Sequence, residues 1–169
     1  MRLFVAIQFD KPVLDSLVQF QSSLRAKRVT GNFTTRENLH LTLAFIGDYN
    51  DPEVVLEAME QSSFRPMELR LDGVGAFGDL FWVGLAENKA LNAYVKRLRR
   101  ELATAGIPFD SKRFSPHVTL IRKVSVPGGG VIPVSEPPKG SMTAVRVSLM
   151  RSDRGKSGMI YSEVGYVGE

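Results

Sequence analysis

The sequence predicts an α+β fold built from two related halves. Three observations carry that prediction. Apolar stretches of strand length alternate along the chain with stretches whose apolar residues recur at helical spacing. Two of the strand-length stretches open on one pattern, His40-Leu41-Thr42-Leu43 and His117-Val118-Thr119-Leu120, 77 residues apart. Each is preceded by a helix-patterned segment. The expected arrangement is therefore two related halves, each contributing sheet and helix. The chain of 169 residues suits a single two-lobed domain over 1–169 that buries roughly two thirds of its unfolded surface.

The elements follow in order. Arg2 to Phe9 reads as a buried strand. Pro12 suits a first helical turn, and Val13, Leu14, Leu17, Val18 and Leu24 then recur at helical spacing. Asn38 to Gly47 reads as a strand. Asp51-Pro52 opens a short helix to about Gln61, with Val54, Val55, Ala58 and Met59 as its apolar stripe. Met67 to Gly75 and Leu80 to Leu85 form a predicted hairpin around Phe77-Gly78-Asp79. A third helix spans about Asn88 to Ala105, with Leu91, Tyr94, Val95, Leu98 and Leu102 inward. Its predicted outer face carries Lys89, Lys96, Arg97, Arg99 and Arg100. After a strand around Pro116 to Lys123 comes a Gly/Pro-rich loop, Ser125 to Gly140, with two uses open: a lid over the site or a long connection. Met142 to Arg151 and Met159 to Val167 close the chain as a hairpin around Asp153-Arg154-Gly155-Lys156.

Composition narrows the function classes. Lys plus Arg number 22 against 18 Asp plus Glu. That mild basicity permits a phosphate-bearing partner without specifying one. Zero cysteines exclude disulfides and thiolate metal sites, in keeping with a reducing cytoplasm, the expected location. The apolar run Leu3 to Ile7 is too short for a secretory or membrane segment, so no membrane association is expected. Two histidines with no cysteine and no carboxylate at ligand spacing fall short of a usual zinc set, so neither a metal nor a cofactor is expected. A monomer is expected.

The paired motifs carry the chemistry. Along a strand, residues i and i+2 share a face. By alternation Asn38, His40, Thr42 and Ala44 face one way and Leu39, Leu41, Leu43 and Phe45 the other. Likewise Ser115, His117 and Thr119 oppose Pro116, Val118 and Leu120. Lobes packed about a pseudo-twofold axis then bring two imidazoles and two hydroxyls to one pocket. A single His bonded to backbone is usually structural. With only seven Thr in the chain, however, chance sets Thr two residues after both histidines in about one chain in 600.

Such a pocket suits a phosphodiester. In-line displacement at phosphorus needs a base on the nucleophile and an acid on the leaving oxygen, and imidazole serves both near neutral pH. The Thr42 and Thr119 hydroxyls are placed to donate to the non-bridging oxygens, with a cation nearby. Arg122 is the nearest arginine, but strict alternation turns it away from His117; it reaches the pocket only if the strand ends or bulges. Phe45, Phe109 and Phe114 are candidates to stack on a base, with Phe114 preferred for its place before the second motif.

The residues also resemble a known family. Glu37-Asn38-Leu39-His40-Leu41-Thr42-Leu43-Ala44-Phe45-Ile46-Gly47 and Pro116-His117-Val118-Thr119-Leu120-Ile121-Arg122 look like the bacterial and archaeal branch of the 2H phosphoesterase superfamily. That branch comprises the RNA 2′,3′-cyclic phosphodiesterases, also called 2′-5′ RNA ligases. The likeness runs from Arg2-Leu3-Phe4-Val5-Ala6-Ile7 to the closing hairpin with Tyr161. It implies two pseudo-symmetric lobes, each an antiparallel sheet with helices on its outer side and the active-site cleft between them, and metal-free hydrolysis of an RNA 2′,3′-cyclic phosphate end to a 2′-phosphate. It implies His40 as proton donor to the departing 3′ oxygen, His117 as proton acceptor from water, and Thr42, Thr119 and Arg122 as phosphate ligands. A 2′-5′ ligase running the same steps backwards, an enzyme for another cyclic or 2′-5′ linked nucleotide, and a non-catalytic RNA-binding module are the alternatives.

Overall fold

The computed structural model describes residues 1–169. Nine strands form two antiparallel sheets, and three helices cover them. The first sheet has the order β3-β1-β8-β9, from His40–Asp48, Arg2–Gln8, Arg146–Gly155 and Gly158–Gly168. The second has the order β2-β6-β5-β4-β7, from Thr30–Phe33, His117–Ser125, Leu80–Leu85, Met67–Phe77 and Ser141–Ala144. This is the α+β class with paired sheets.

The helices begin where their capping chemistry dictates. In α1 (Lys11–Ala26) the Asp10 carboxylate accepts from the Val13 amide, with Pro12 in the first turn. In α2 (Pro52–Gln61) Asp51 caps the Val54 amide, and in α3 (Lys89–Thr104) Asn88 caps the Leu91 amide. Each satisfies an amide that the helix itself leaves without a partner.

The helices do not stay with the sheet whose strands flank them. Strand β1 belongs to the first sheet, yet α1 packs on the second. Phe20 of α1 meets Phe81 of β5 with ring centroids 6.2 Å apart, and the Gln21 amide donates to the carbonyls of Thr34 and Leu120. Conversely α3 follows β5 of the second sheet but packs with α2 and reaches β3 of the first. A continuous core of 35 residues draws on both sheets, with Leu3, Val5, Leu41 and Leu149 from the first and Val83, Val118, Leu120 and Ile121 from the second.

Two short strands depart from the sequence reading. Thr30–Phe33 has almost no buried side chain and carries no apolar alternation to read. The stretch expected as one strand from Met142 splits instead. Ser141–Ala144 pairs with β4 in the second sheet, while Arg146–Gly155 joins the first, pairing with β9 throughout and with β1 over Ser148–Ser152. A one-residue break at Val145 moves the chain between sheets, and no turn residue marks it in the sequence. The 125–140 loop is no lid. Ile132 and Val134 pack on the core, and the Lys27 ammonium donates to the Pro133 carbonyl, so the loop lies along α1 and lines no part of the cleft. No helix is long and apolar enough to cross a membrane.

Candidate active site

Both histidines begin their strands, β3 and β6, and both line one cleft of ≈ 630 Å³ between the sheets. Thr42, Thr119 and Arg122 line the same cleft. Arg2 and Arg154 add positive charge, and Asp110 is its only carboxylate. The volume falls within the range usual for small-ligand sites.

The two rings are held alike. His40 Nδ1 lies 2.6 Å from the Asn38 carbonyl oxygen, and His117 Nδ1 lies 2.7 Å from that of Ser115. A carbonyl only accepts, so in both rings Nδ1 carries the hydrogen and Nε2 is left to take or give a proton. His40 Nε2 is 2.7 Å from Thr42 Oγ1. In the neutral ring the hydroxyl therefore donates to Nε2.

Each ring is also braced by aromatic side chains of its own sheet. Phe4 and Tyr161 flank His40 at 5.0 and 5.3 Å between centroids, and Tyr161 meets it edge-on. Phe77 meets His117 edge-on at 5.2 Å, with Trp82 behind at 6.2 Å. Sequence reasoning took Phe4 for core and did not single out Phe77, Trp82 or Tyr161 as site residues. The sheet register supplies the missing signal, because Trp82 pairs with Thr119 and Gly84 with His117.

Strict alternation fails in both motifs, at the same place. Ala6 pairs with Thr42 and Val5 with Ala44, which leaves Leu43 out of register; Trp82 pairs with Thr119 and Phe81 with Ile121, which leaves Leu120 out. These are β-bulges, and each shifts the facing of every later residue by one. After Thr42 two residues in a row, Leu43 and Ala44, are buried, and after Thr119 so are Leu120 and Ile121. The next residue of each motif then turns to the cleft. Arg122 does so in the second motif, and Phe45, 53% exposed, does so in the first. Three residues thus depart from strict alternation: Arg122 and Phe45 face the cleft, and Ala44 is core.

The pairing of β2 with β6 has an irregularity of its own, between Thr30 and Asn32, and it needs a glycine. Gly31 (φ +145°) crosses so close that a Cβ there would sit 2.9 Å from the Arg122 carbonyl oxygen and 3.0 Å from that of Lys123. Gly31→Ala is expected to destabilise the fold by about 1–3 kcal/mol, read by chemical denaturation, because both the backbone angle and the clash oppose a side chain. An unchanged midpoint would contradict this packing.

Burial is the main reason the His40 pKa lies below 6.5, and the positive charges of Arg122 and His117 push it the same way; the Asn38 carbonyl opposes them. Neutral His40 therefore predominates in the empty cleft at pH 7. An anion bound between Arg122 and His117 offsets their charge and raises the pKa. An NMR titration is expected to place His40 below 6.5 in the free protein and higher with inorganic phosphate bound. A free-protein value above 6.5 would contradict the enclosed, cation-flanked site.

Phe114 lies outside the cleft. It lines an adjoining recess, packs partly into the core, and has the Arg99 guanidinium 5.9 Å from its ring centre. The basic face of α3 is also not a free track. Arg99 donates to the carbonyls of Lys112 and Leu43, and Arg97 to those of Ser62 and Ser63.

The family model of the 2′-5′ RNA ligase superfamily matches residues 13–156. A protein of Methanothermobacter thermautotrophicus named RNA 2′,3′-cyclic phosphodiesterase is 26% identical over 180 residues, covering 96% of each chain. A protein of the same name from Escherichia coli is 28% identical over 129 residues, 73% of each chain. Against a third of that name, from Geobacillus stearothermophilus, identity is 28% over 129 residues, 71% of this chain and 41% of the relative. Among solved structures, E. coli LigT complexed with 3′-AMP superposes with a TM-score of 0.83 at 23% identity, covering 99% of this chain and 97% of the other. A Thermus thermophilus protein superposes at 0.77 with 24% identity and the same coverage. At these identities the structural likeness establishes the fold.

Proposed function

The chain belongs to the 2′-5′ RNA ligase superfamily, and from that premise we propose that it hydrolyses RNA 2′,3′-cyclic phosphate ends to 2′-phosphomonoesters by two-histidine acid–base catalysis, without metal or cofactor. One observation carries the reading: two imidazoles from opposite sheets line one cleft, each with Nδ1 tied to a carbonyl two residues back. The relatives named RNA 2′,3′-cyclic phosphodiesterase support the choice of substrate.

His117 Nε2 takes a proton from water as its oxygen attacks phosphorus. The bond from phosphorus to O3′ breaks, and His40 Nε2 gives its proton to O3′. Thr42 and Thr119 hold the non-bridging oxygens through their hydroxyls, and Arg122 meets the charge that builds on them. The lowered pKa of His40 makes it a stronger donor once protonated. The substrate anion favours that protonation by offsetting Arg122 and His117.

Incubating the protein with a short RNA ending in a 2′,3′-cyclic phosphate tests the proposal. The expected product keeps the phosphate on the 2′ oxygen, with turnover intact in EDTA. A 3′-phosphate product would contradict it, as would EDTA inactivation restored by added metal.

A further inference from the structure

The two β-bulges are held from behind in the same way. Gln21 of α1 donates from its one amide nitrogen to the carbonyls of Leu120, at 3.1 Å, and Thr34, at 3.0 Å. Arg99 of α3 donates from its two terminal nitrogens to the carbonyls of Leu43, at 3.3 Å, and Lys112, at 2.6 Å. Leu120 and Leu43 are the bulge residues, each third after its histidine. Both helices have 16 residues, and both side chains stand at the eleventh.

The second carbonyl of each pair lies on the approach to the other motif. Thr34 is six residues before His40, and Lys112 is five before His117. Those approaches end in Asn38 and Ser115, whose carbonyls accept from the two Nδ1 atoms. Gln21 thus ties the bulge of the second motif to the lead-in of the first. Arg99 ties the bulge of the first motif to the lead-in of the second. Main-chain bonds run beside both ties: the Thr34 amide donates to the Leu120 carbonyl and the Asp110 amide to the Phe45 carbonyl, each at 2.8 Å.

Neither side chain is what packing alone would place there. Gln21 is 3% exposed on the inner face of α1, with Leu17, Phe20 and Leu24. Burying an amide is unfavourable unless its hydrogen bonds are made. Arg99 holds a charge half-buried, with Nε sealed from solvent and without a partner. An apolar side chain avoids both penalties and leaves the four carbonyls untied.

We infer that Gln21 and Arg99 are positioning residues, a reciprocal pair of clamps that fix the two bulges and, through the crossed lead-ins, the separation and aim of the two imidazoles. They act through His40, His117 and Arg122. That role presupposes the acid–base chemistry proposed above.

The test uses Gln21→Met and Arg99→Met, which keep an unbranched stem and remove the donors. Unfolding curves set a temperature at which each variant is folded. There kcat on an RNA 2′,3′-cyclic phosphate is expected to fall by about 10–10²-fold in each, the scale of loss from a slight misplacement of reacting groups. Arg99→Lys keeps the charge but offers one nitrogen in place of two, and is expected to recover only part of the loss. Complete recovery would overturn the clamp role of Arg99.

A second readout needs no turnover. Arg122 and His117, both on β6, hold the His40 pKa down by their charge. Loosening the β6 bulge in Gln21→Met draws Arg122 away, while Arg2, Arg154 and Asp110, the other charged groups lining the cleft, belong to other segments. The His40 pKa is therefore expected to rise in an NMR titration of the folded variant. Unchanged kcat in both folded Met variants, or an unchanged His40 pKa in Gln21→Met, would overturn the inference, since residues that serve stability alone lower only the unfolding midpoint. If Gln21→Met does not fold, Arg99→Met and Arg99→Lys decide it. Wild type inactive on the cyclic phosphate overturns the proposed function, and the His40 titration then still decides whether Gln21 holds Arg122 in place.

Discussion

Replacing His117 with Ala is expected to lower kcat on an RNA 2′,3′-cyclic phosphate by about 10²–10⁴-fold. Without the imidazole, water at phosphorus has no positioned base. In the proposed mechanism Thr42, Thr119 and Arg122 still hold the substrate, so KM is expected to move far less than kcat. His40→Ala is expected to lose a similar factor by leaving O3′ to depart unprotonated. The double variant is expected to lose much less than the product of the two, because acid and base act in one displacement. Steady-state kinetics with thermal unfolding curves decide this. Both rings line the cleft and neither belongs to the hydrophobic core, so melting temperatures are expected to stay near wild type. Either single variant retaining kcat within tenfold of wild type would remove the assignment.

Arg122→Ala carries the second largest expected effect. The guanidinium is the charged group of the second motif that the bulge aims into the cleft. Its removal is expected to cost about 10²–10³-fold in kcat/KM, as for other donors aimed at developing anionic charge. Lys at this position is expected to recover only part, since a point charge cannot make the guanidinium's paired hydrogen bonds. The substitution also has a signature outside activity. Arg122 lowers the His40 pKa by its charge, so Arg122→Ala is expected to raise it. A drop in turnover with no rise in that pKa would mean that Arg122 acts without facing His40.

Much of this site is legible in residue order, for a definite reason. His and Thr two apart on a strand share a face whatever the tertiary structure, and two copies of one pattern point to one pocket. The register of neighbouring strands was not legible. Leu43 and Leu120 look like ordinary alternating residues, and only pairing with β1 and β5 shows them as bulges. That one-residue slip turns Arg122 and Phe45 into the cleft and Ala44 out of it. Aligning the motifs on their histidines does place Phe45 and Arg122 at one offset, a sequence-level hint of shared facing. The helices were legible from caps and periodicity, but not the sheet each would cover. Nothing within α1 says that Phe20 meets Phe81 and not the sheet that its own strand begins. Phe114 sits beside the second motif in sequence, yet its strand-leading position places it under Arg99.

The pH dependence of kcat/KM on an RNA 2′,3′-cyclic phosphate tests most directly whether two imidazoles divide the work as acid and base. One group protonated and one neutral predicts a bell, with the His40 ionisation below 6.5 in the wild type and displaced upward in Arg122→Ala. A profile with a single limb, or a bell that Arg122→Ala leaves in place, would contradict the account.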